Sequence, residues 1–397
     1  MEGILKGIRV IDLTQYQMGP VANQMLADMG AEVIKIERLE GEPGRRIGPF
    51  TSGGRSAYFQ AHNGNKKSVA INLKHQRGME ILYKLVGKAD VFSENFQRGV
   101  AEKLGFGYET LVKMNPQMIY FSGSGFGLEG PMSQYLAYDA VGQAMSGILS
   151  TIWSPPGQPN PLIGCAIGDQ TGGFLGCLAI VLALFHRQRT GEGQRVDVSL
   201  LGSGIALMGW VLQAFLLTGT PYRAKTRARI TPAAISSTHL AKDDKPIIIQ
   251  LLGNDKVKEG LKVLGLEGFL NNPIFKLEEM DQHAEQILSI LDSAFKKKNR
   301  EDWLRSFAEA GVVAAPVLNC EEASNHPQVL INGYVDEVNH PKEGKMKVVG
   351  CPIKFSKTPG KMGPAPELGE HTESVLSEFL EYSEAEIADL RKVGVIR

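Results

Sequence analysis

The sequence predicts an α/β protein, a parallel sheet with helices on both faces joined to a smaller α/β domain. The N-terminal half alternates short β-branched runs with helical periodicity. That rhythm changes after about Thr220. The chain has 397 residues, 43% hydrophobic and 22% charged, which is an ordinary composition and long enough for two cores.

Ile8–Leu13 ("IRVIDL") reads as the first strand. Val21, Met25, Leu26 and Met29 then share one helical face, and Gly30 ends that helix. Glu32–Glu37 is the second strand; Ala89–Phe96, Gln117–Ser122 and "RVDVSL" are further strands, separated by helical segments. Such alternation gives a parallel sheet with right-handed crossovers, whose ligands gather at the carboxyl ends of the strands. Beyond Thr220, "AAISSTHLAKDDKPIIIQLLG" reads as two strands around a Lys-Asp-Asp-Lys-Pro turn. Helices at Asp281–Phe295 and Glu301–Ala310 and a strand "VVAAPVL" complete a smaller domain over 225–325. In the tail, Ser383 to Glu386 forms a capping box and Gly394 a C-cap.

Forty-three basic and forty-three acidic residues cancel, so no nucleic acid or anionic membrane is expected as a partner. "KKKNR" (Lys296–Arg300) reads as a solvated helix end. Cys165, Cys177, Cys320 and Cys351 form no C-x-x-C pair and no His pair has zinc spacing, so no metal site is expected. The first residues lack a signal-like apolar region, and reduced thiols in the cytoplasm are the expectation. Gly172–Phe185 is too short for a membrane span of ~20 residues. Ile205–Leu217 is also short and contains Gln213, and both stretches read as buried core helices.

Three loops are candidates for chemistry. "TQYQMGPVA" (Thr14–Ala22) joins the first strand to its helix without the G-x-G-x-x-G of a dinucleotide fold. Gly125, Gly127 and Gly130 have that spacing, but Pro131 follows and no helix start is visible. They read as a glycine turn or as a loop that lets a ligand near the backbone. Asp169 stands alone in "PLIGCAIGDQTGG", before a helix. It reads either as an N-cap or as a carboxylate nucleophile. In the second case the helix dipole would keep it ionised, and Gly168, Gly172 and Gly173 would admit a bulky acyl group.

Five segments in this order carry a resemblance. They are "LKGIRVIDLTQYQMGPVANQMLADMGAEVIKIE", "NGNKKSVAINLK", "LGFGYETLVKMNPQMIYFSGSGFGLEGP", "YDAVGQAMSG" and "LGEHTESVLSEFLEYSEAEIADLRKVGVI". Together they resemble the class III CoA-transferases, which include formyl-CoA transferases and crotonobetaine CoA-transferases. The resemblance implies a Rossmann-like large domain from 1–220 with the tail 330–397 returning to it, and a small domain. It also implies a homodimer of interlocked rings. Coenzyme A and acyl-CoA enter as substrates, and no cofactor is bound permanently.

Asp169 matches the family nucleophile. That residue forms a mixed anhydride with the acyl group and then an aspartyl-CoA thioester. Gln17 matches a glutamine that donates to the reacting carbonyl. The resemblance assigns CoA contacts to Arg38, Lys74, Asn95, Phe96 and Lys103, and pantetheine contacts to Ala140 and Gln143. Formyl-CoA transferases carry a glycine run in the small domain. "RITPAAISSTHLAKD" has none here, a departure that leaves oxalate and formate specificity unsupported. The α-methylacyl-CoA racemases of the same fold have His where Tyr138 precedes Asp139. A phenol of pKa ~10 is a poor base at neutral pH, so a transferase is favoured over a racemase. A non-catalytic CoA-binding protein is the alternative from another class.

Overall fold

In the computed structural model, residues 3–222, 224, 226–231, 234–276 and 279–397 are described. The chain divides into two compact units. One comprises Met1–Ile148, Leu162–Leu212 and Gln328–Arg397, the other Leu149–Pro161 and Gln213–Pro327.

The first unit is built on six parallel strands: β1 (Arg9–Asp12), β2 (Glu32–Glu37), β3 (Lys67–Ala70), β4 (Val91–Glu94), β5 (Ile119–Ser124) and β6 (Arg195–Ser199). Their order is β3-β2-β1-β4-β5-β6. This is the order of doubly wound nucleotide-binding sheets, in which the winding reverses between β1 and β4 and opens a crevice at the carboxyl ends. Both faces are buried, as parallel sheets require. Ile11, Ile34, Val69, Phe92 and Tyr120 feed one core, and Val10, Val33, Val91, Ile119 and Phe121 the other. Five of the strands overlap the runs read from the sequence. β3 was not read, because Lys67 and Ser68 leave it only Val69 and Ala70 as apolar residues.

The tail completes the first of these cores with Val375, Leu376, Ile387, Leu390 and Ile396. Thr372 Oγ1 accepts from Ala70 N, and Ser383 and Glu386 close a capping box on the helix Glu384–Lys392.

Two long helices differ from expectation. Ile167–Thr190 buries a face of small residues: a Cβ on Gly172 would lie 2.5 Å from Met18 Sδ, and one on Gly173 2.5 Å from Val21 Cγ1. The space at these glycines is therefore filled by the Met18–Asp28 helix rather than left for an acyl group. The opposite face is not core, since Leu178, Leu182 and Phe185 are all more than half exposed. Leu200–Thr218 exposes Trp210, Leu216 and Leu217, and it breaks at Gly209, whose φ of 41° and ψ of −120° leave the helical region. Both helices are long and apolar enough by composition to cross a membrane. The reading as buried core helices fails for their outer faces, because one-sided apolar burial and two-sided burial give the same unbroken run in sequence.

The second unit holds an antiparallel sheet of β7 (Arg229–Thr231), β8 (Ala234–Leu240), β9 (Pro246–Leu252) and β10 (Val313–Pro316), ordered β10-β9-β8-β7. Along β9, Ile247, Ile249 and Leu251 point into a core with Trp303 and Phe307, while the alternate residues are exposed. The glycine-free stretch forms β7 and β8; Lys225, Pro232 and Ala233 lie outside the described residues. Back in the first unit, β11 (Val335–His340) and β12 (Gly344–Val349) form a hairpin.

Candidate active site

A cavity of about 240 Å³ opens at the carboxyl ends of β1, β4 and β5, at the point where the winding reverses. Gln15, Tyr16 and Gln17 enter it from the loop after β1, and Asn95, Phe96 and Gln97 from the loop after β4. Gly123 and Ser124 at the end of β5, with Gly125 beyond it, add to the wall. Tyr58, Tyr138 and Asp169 close the remaining sides.

The β1 loop rests on buried charges. Lys66 Nζ donates to Asp12 Oδ2 (2.9 Å), Asn63 Oδ1 (2.9 Å) and Pro20 O (3.0 Å). Lys35 Nζ donates to Thr14 O (2.8 Å) and lies 3.4 Å from Glu42 Oε1. Asp12, Lys35 and Lys66 are almost wholly buried, and the two lysines hold the Asp12 carboxyl below its usual range against the opposing effect of burial. Glu42 Oε2 accepts from Tyr16 N (3.0 Å) and helps fix Tyr16 at φ 63°, a left-handed conformation that a tyrosine rarely adopts. Asn95 exchanges two hydrogen bonds with the backbone of Gln15, each 2.8 Å, and so ties the loops after β1 and β4 across the crevice. Tyr58 is carried on the short helix Ala57–His62, capped by Ser56 Oγ accepting from Phe59 N.

Asp169 is the third residue of its helix, not its cap. Ala166 stands at the cap position and offers no side-chain acceptor. That role falls to Asp139, whose Oδ1 accepts from Gly168 N (2.7 Å) and Asp169 N (3.1 Å). Nor does the helix dipole keep Asp169 strongly ionised. Burial pushes its carboxyl up to about 7, the Asp139 charge adds to the rise, and a hydrogen bond from the Met18 backbone opposes it. Burial also raises the Tyr58 phenol, and the Asp169 charge adds to that rise. Gln17 Nε2 donates to Gln170 Oε1 (3.1 Å), beside Asp169 in sequence.

Of the residues singled out in the sequence, Gln17, Asn95, Phe96 and Asp169 meet in the cavity wall. Arg38, Lys74, Lys103 and Ala140 are exposed outside that wall. The Arg38 charge still reaches the Tyr16 phenol. The pantetheine contact expected of Gln143 does not fit: Gln143 is 2% exposed and its amide is committed to Asp139 and to both backbone groups of Ile163. Sequence reading missed Tyr16, Tyr58 and Asp139 as parts of the site. Asp139 carried a signal, as an acidic residue four before Gln143 at a helix start.

A second constellation lies in the other unit. Ser237 Oγ is 2.7 Å from His239 Nε2, and His239 Nδ1 is 2.7 Å from Asp292 Oδ1. The spacing is that of a serine nucleophile relay. Ser237 is only 2% exposed, however, and His239 stacks on Phe295, so the relay is part of the packing and no substrate carbonyl can reach it.

A doubly wound sheet with a half-buried carboxylate at its crevice defines an enzyme site of the nucleotide-fold type. The profile of CoA-transferase family III matches residues 5–372, and the chain belongs to that family. It is 34% identical to human succinyl-CoA:glutarate CoA-transferase, over 99% of this chain and 90% of that one. It is 36% identical to acetyl-CoA:oxalate CoA-transferase of Acetobacter aceti, over 95% and 96% of the two chains. The crystal structure of a CAIB/BAIF family protein from Brucella suis superposes with a TM-score of 0.86 at 29% identity, covering 96% of this chain and all of that one.

Proposed function

We propose that this enzyme moves CoA from an acyl-CoA to a free carboxylic acid, with a short dicarboxylate as donor or acceptor acid, through covalent intermediates on Asp169. The observation that carries the reading is a half-buried carboxylate in the cavity wall with no Lys or Arg beside it among the described lining residues. A structural carboxylate would be paired. The names of the relatives, which refer to succinyl-CoA, glutarate and oxalate, support the substrate class.

The ionised Asp169 attacks the thioester carbonyl and CoA leaves as thiolate. The thiolate then attacks the aspartyl carbonyl of the anhydride, frees the first acid and leaves an aspartyl-CoA thioester. An acceptor acid reverses both steps. Thioester and anhydride have similar transfer potential, so no ATP is consumed. The neutral amides and hydroxyls of Gln17, Tyr58 and Tyr138 offer hydrogen-bond donors for the tetrahedral oxyanions. Turning Gln17 toward the substrate gives up its bond to Gln170. Phe96 and the cations of Arg38, Lys74 and Lys103 are the proposed CoA contacts, with the lysines meeting phosphate as point charges.

The test is a matrix of succinyl- and acetyl-CoA against glutarate, oxalate and monocarboxylates, with products read by mass spectrometry. Exchange without ATP, and an aspartyl hydroxamate at Asp169 after hydroxylamine, is the expected result. Because burial holds the Asp169 acid constant near 7 and the nucleophile is the ionised form, the rate should rise with pH through that value and fall about tenfold per unit below it. CoA binding without exchange for any pair would leave only a CoA-binding protein.

We further infer that a second copy covers the apolar faces of the two long helices, forming a homodimer. Leu178, Leu182, Phe185 and Leu217 are more than half exposed, and a run of that kind on a monomer's surface marks an interface. Sedimentation velocity should show a dimer at micromolar concentration; a folded monomer there overturns it.

A further inference from the structure

Asp139 and Asp169 stand in an unusual relation. Asp139 begins the helix Asp139–Met145, and its Oδ1 takes the first free amides of the Asp169 helix at 2.7 and 3.1 Å. Its Oδ2 accepts from Gln143 Nε2 at 2.6 Å. Gln143 is locked in turn, with its Oε1 accepting from Ile163 N (3.0 Å) and its Nε2 donating to Ile163 O. The approach depends on Gly168, where a Cβ would stand only 3.0 Å from Asp139 Oδ1. Helix Asp139–Met145 thus grips the segment that presents Asp169, and it does so with a negative charge. Tyr58 faces Asp169 from its own helix, Tyr16 and Tyr138 from the cavity wall, and Gln17 and Met18 from the start of the Met18–Asp28 helix. Among the described residues lining the cavity with Asp169 there is no Lys or Arg.

We propose that Asp139 is a positioning residue which fixes the first turn of the Asp169 helix and whose charge tilts the enzyme toward its covalent forms. The inference rests on the Asp169 chemistry proposed above. In that chemistry the resting carboxylate and R–CO–SCoA become aspartyl–CO–SCoA and R–COO⁻. Across the two steps a C–O bond forms on the acyl carbon as its C–S bond breaks, then a C–S bond forms at Asp169 as its own C–O bond breaks, so one carboxylate oxygen of Asp169 and the negative charge leave with the released acid. Each covalent form therefore removes the charge that faces Asp139. Repulsion between like charges raises the free energy of the resting anion and leaves the neutral thioester untouched, so the equilibrium shifts toward the thioester. The raised acid constant of Asp169 agrees in direction.

Asp139→Asn keeps an oxygen for the two amides and removes the charge. The acidic limb of the transfer rate should then move down by up to about one pH unit. The fraction of enzyme carrying CoA, read by intact-protein mass spectrometry at a fixed ratio of acyl-CoA to free acid, should fall ~3- to 10-fold. Asp139→Glu keeps the charge and moves the oxygen. It should slow transfer while leaving the limb where the unaltered enzyme has it. A purely structural Asp139 would slow transfer in both variants with the limb and the adduct fraction unmoved, and that result overturns the inference. If the unaltered enzyme forms no adduct, the Asp169 chemistry falls and this inference with it. An adduct in the unaltered enzyme with an unmoved limb in Asp139→Asn removes this inference alone.

Discussion

Asp169→Asn should lower CoA exchange by at least ~10³-fold and abolish hydroxamate formation, because an amide is no nucleophile toward a thioester. The fold should not suffer. Asp169 does not cap its helix; Asp139 does, and Asp139 is untouched. The stability effect has the opposite sign to that of a lost cap. Burial raises the Asp169 acid constant from 3.8 to about 7 in the folded chain. The folded state therefore holds a proton that the unfolded chain releases between those values, and the cost of ionising the buried group is fully present above 7. Asn carries no such cost. The variant should match the parent near pH 4 and be more stable by ~1–3 kcal/mol at pH 8, read as a shift in the urea midpoint. Normal exchange by Asp169→Asn would end the nucleophile assignment. A loss of stability at pH 8 would restore the cap.

Lys66→Met should cost ~3–5 kcal/mol, the largest stability effect expected in the first unit. Lys66 is almost wholly buried and gives three hydrogen bonds, to Asp12, Asn63 and Pro20. Methionine fills its volume but leaves the Asp12 carboxylate with one lysine where it had two. A double variant, Asp12→Leu with Lys66→Met, should recover part of the loss, since an apolar pair leaves no unpaired charge. Recovery should be incomplete, because Thr14 N and Oγ1 also depend on Asp12 Oδ1. Additive losses in the double variant would show that the two residues do not act as a pair. Transfer should fall along with stability, because the loop bearing Tyr16 and Gln17 stands on this cluster.

The sheet was legible because β1, β2 and β4 each carry a pair of adjacent bulky apolar residues, Val10–Ile11, Val33–Ile34 and Val91–Phe92, that enter the cores on its two faces. β3 was not, because Lys67 and Ser68 interrupt a strand of four residues. Asp169 was legible as an isolated carboxylate before a run of small residues. Its exact place in the helix was not, because the residue that caps the helix lies 30 positions upstream of it and belongs to another helix. Asn95 was legible only as part of a motif; its exchange of hydrogen bonds with Gln15 spans 80 positions, and local pattern carries no trace of such a pairing. Gln143 shows the reverse. A polar residue beside a site motif reads as a contact, yet its amide is spent inside the protein.

The returning tail has a consequence for how the protein is made. Ala70 at the end of β3 meets Thr372, 302 residues later, and the core under that part of the sheet takes Val375, Leu376, Ile387 and Leu390 from the same tail. On a translating ribosome those partners emerge roughly 15–60 s after β3, at ~5–20 residues per second. Throughout that interval Val69 and Ile71 lack their final cover: the six strands are all present once β6 has emerged, but the core beneath them is not. The crevice is framed by segments made early, but its supporting core closes only after the segment from Thr372 to Ile396 has emerged. A nascent chain that has not yet reached Thr372 thus presents apolar strand surface without its cover, the kind of surface on which unfinished chains aggregate.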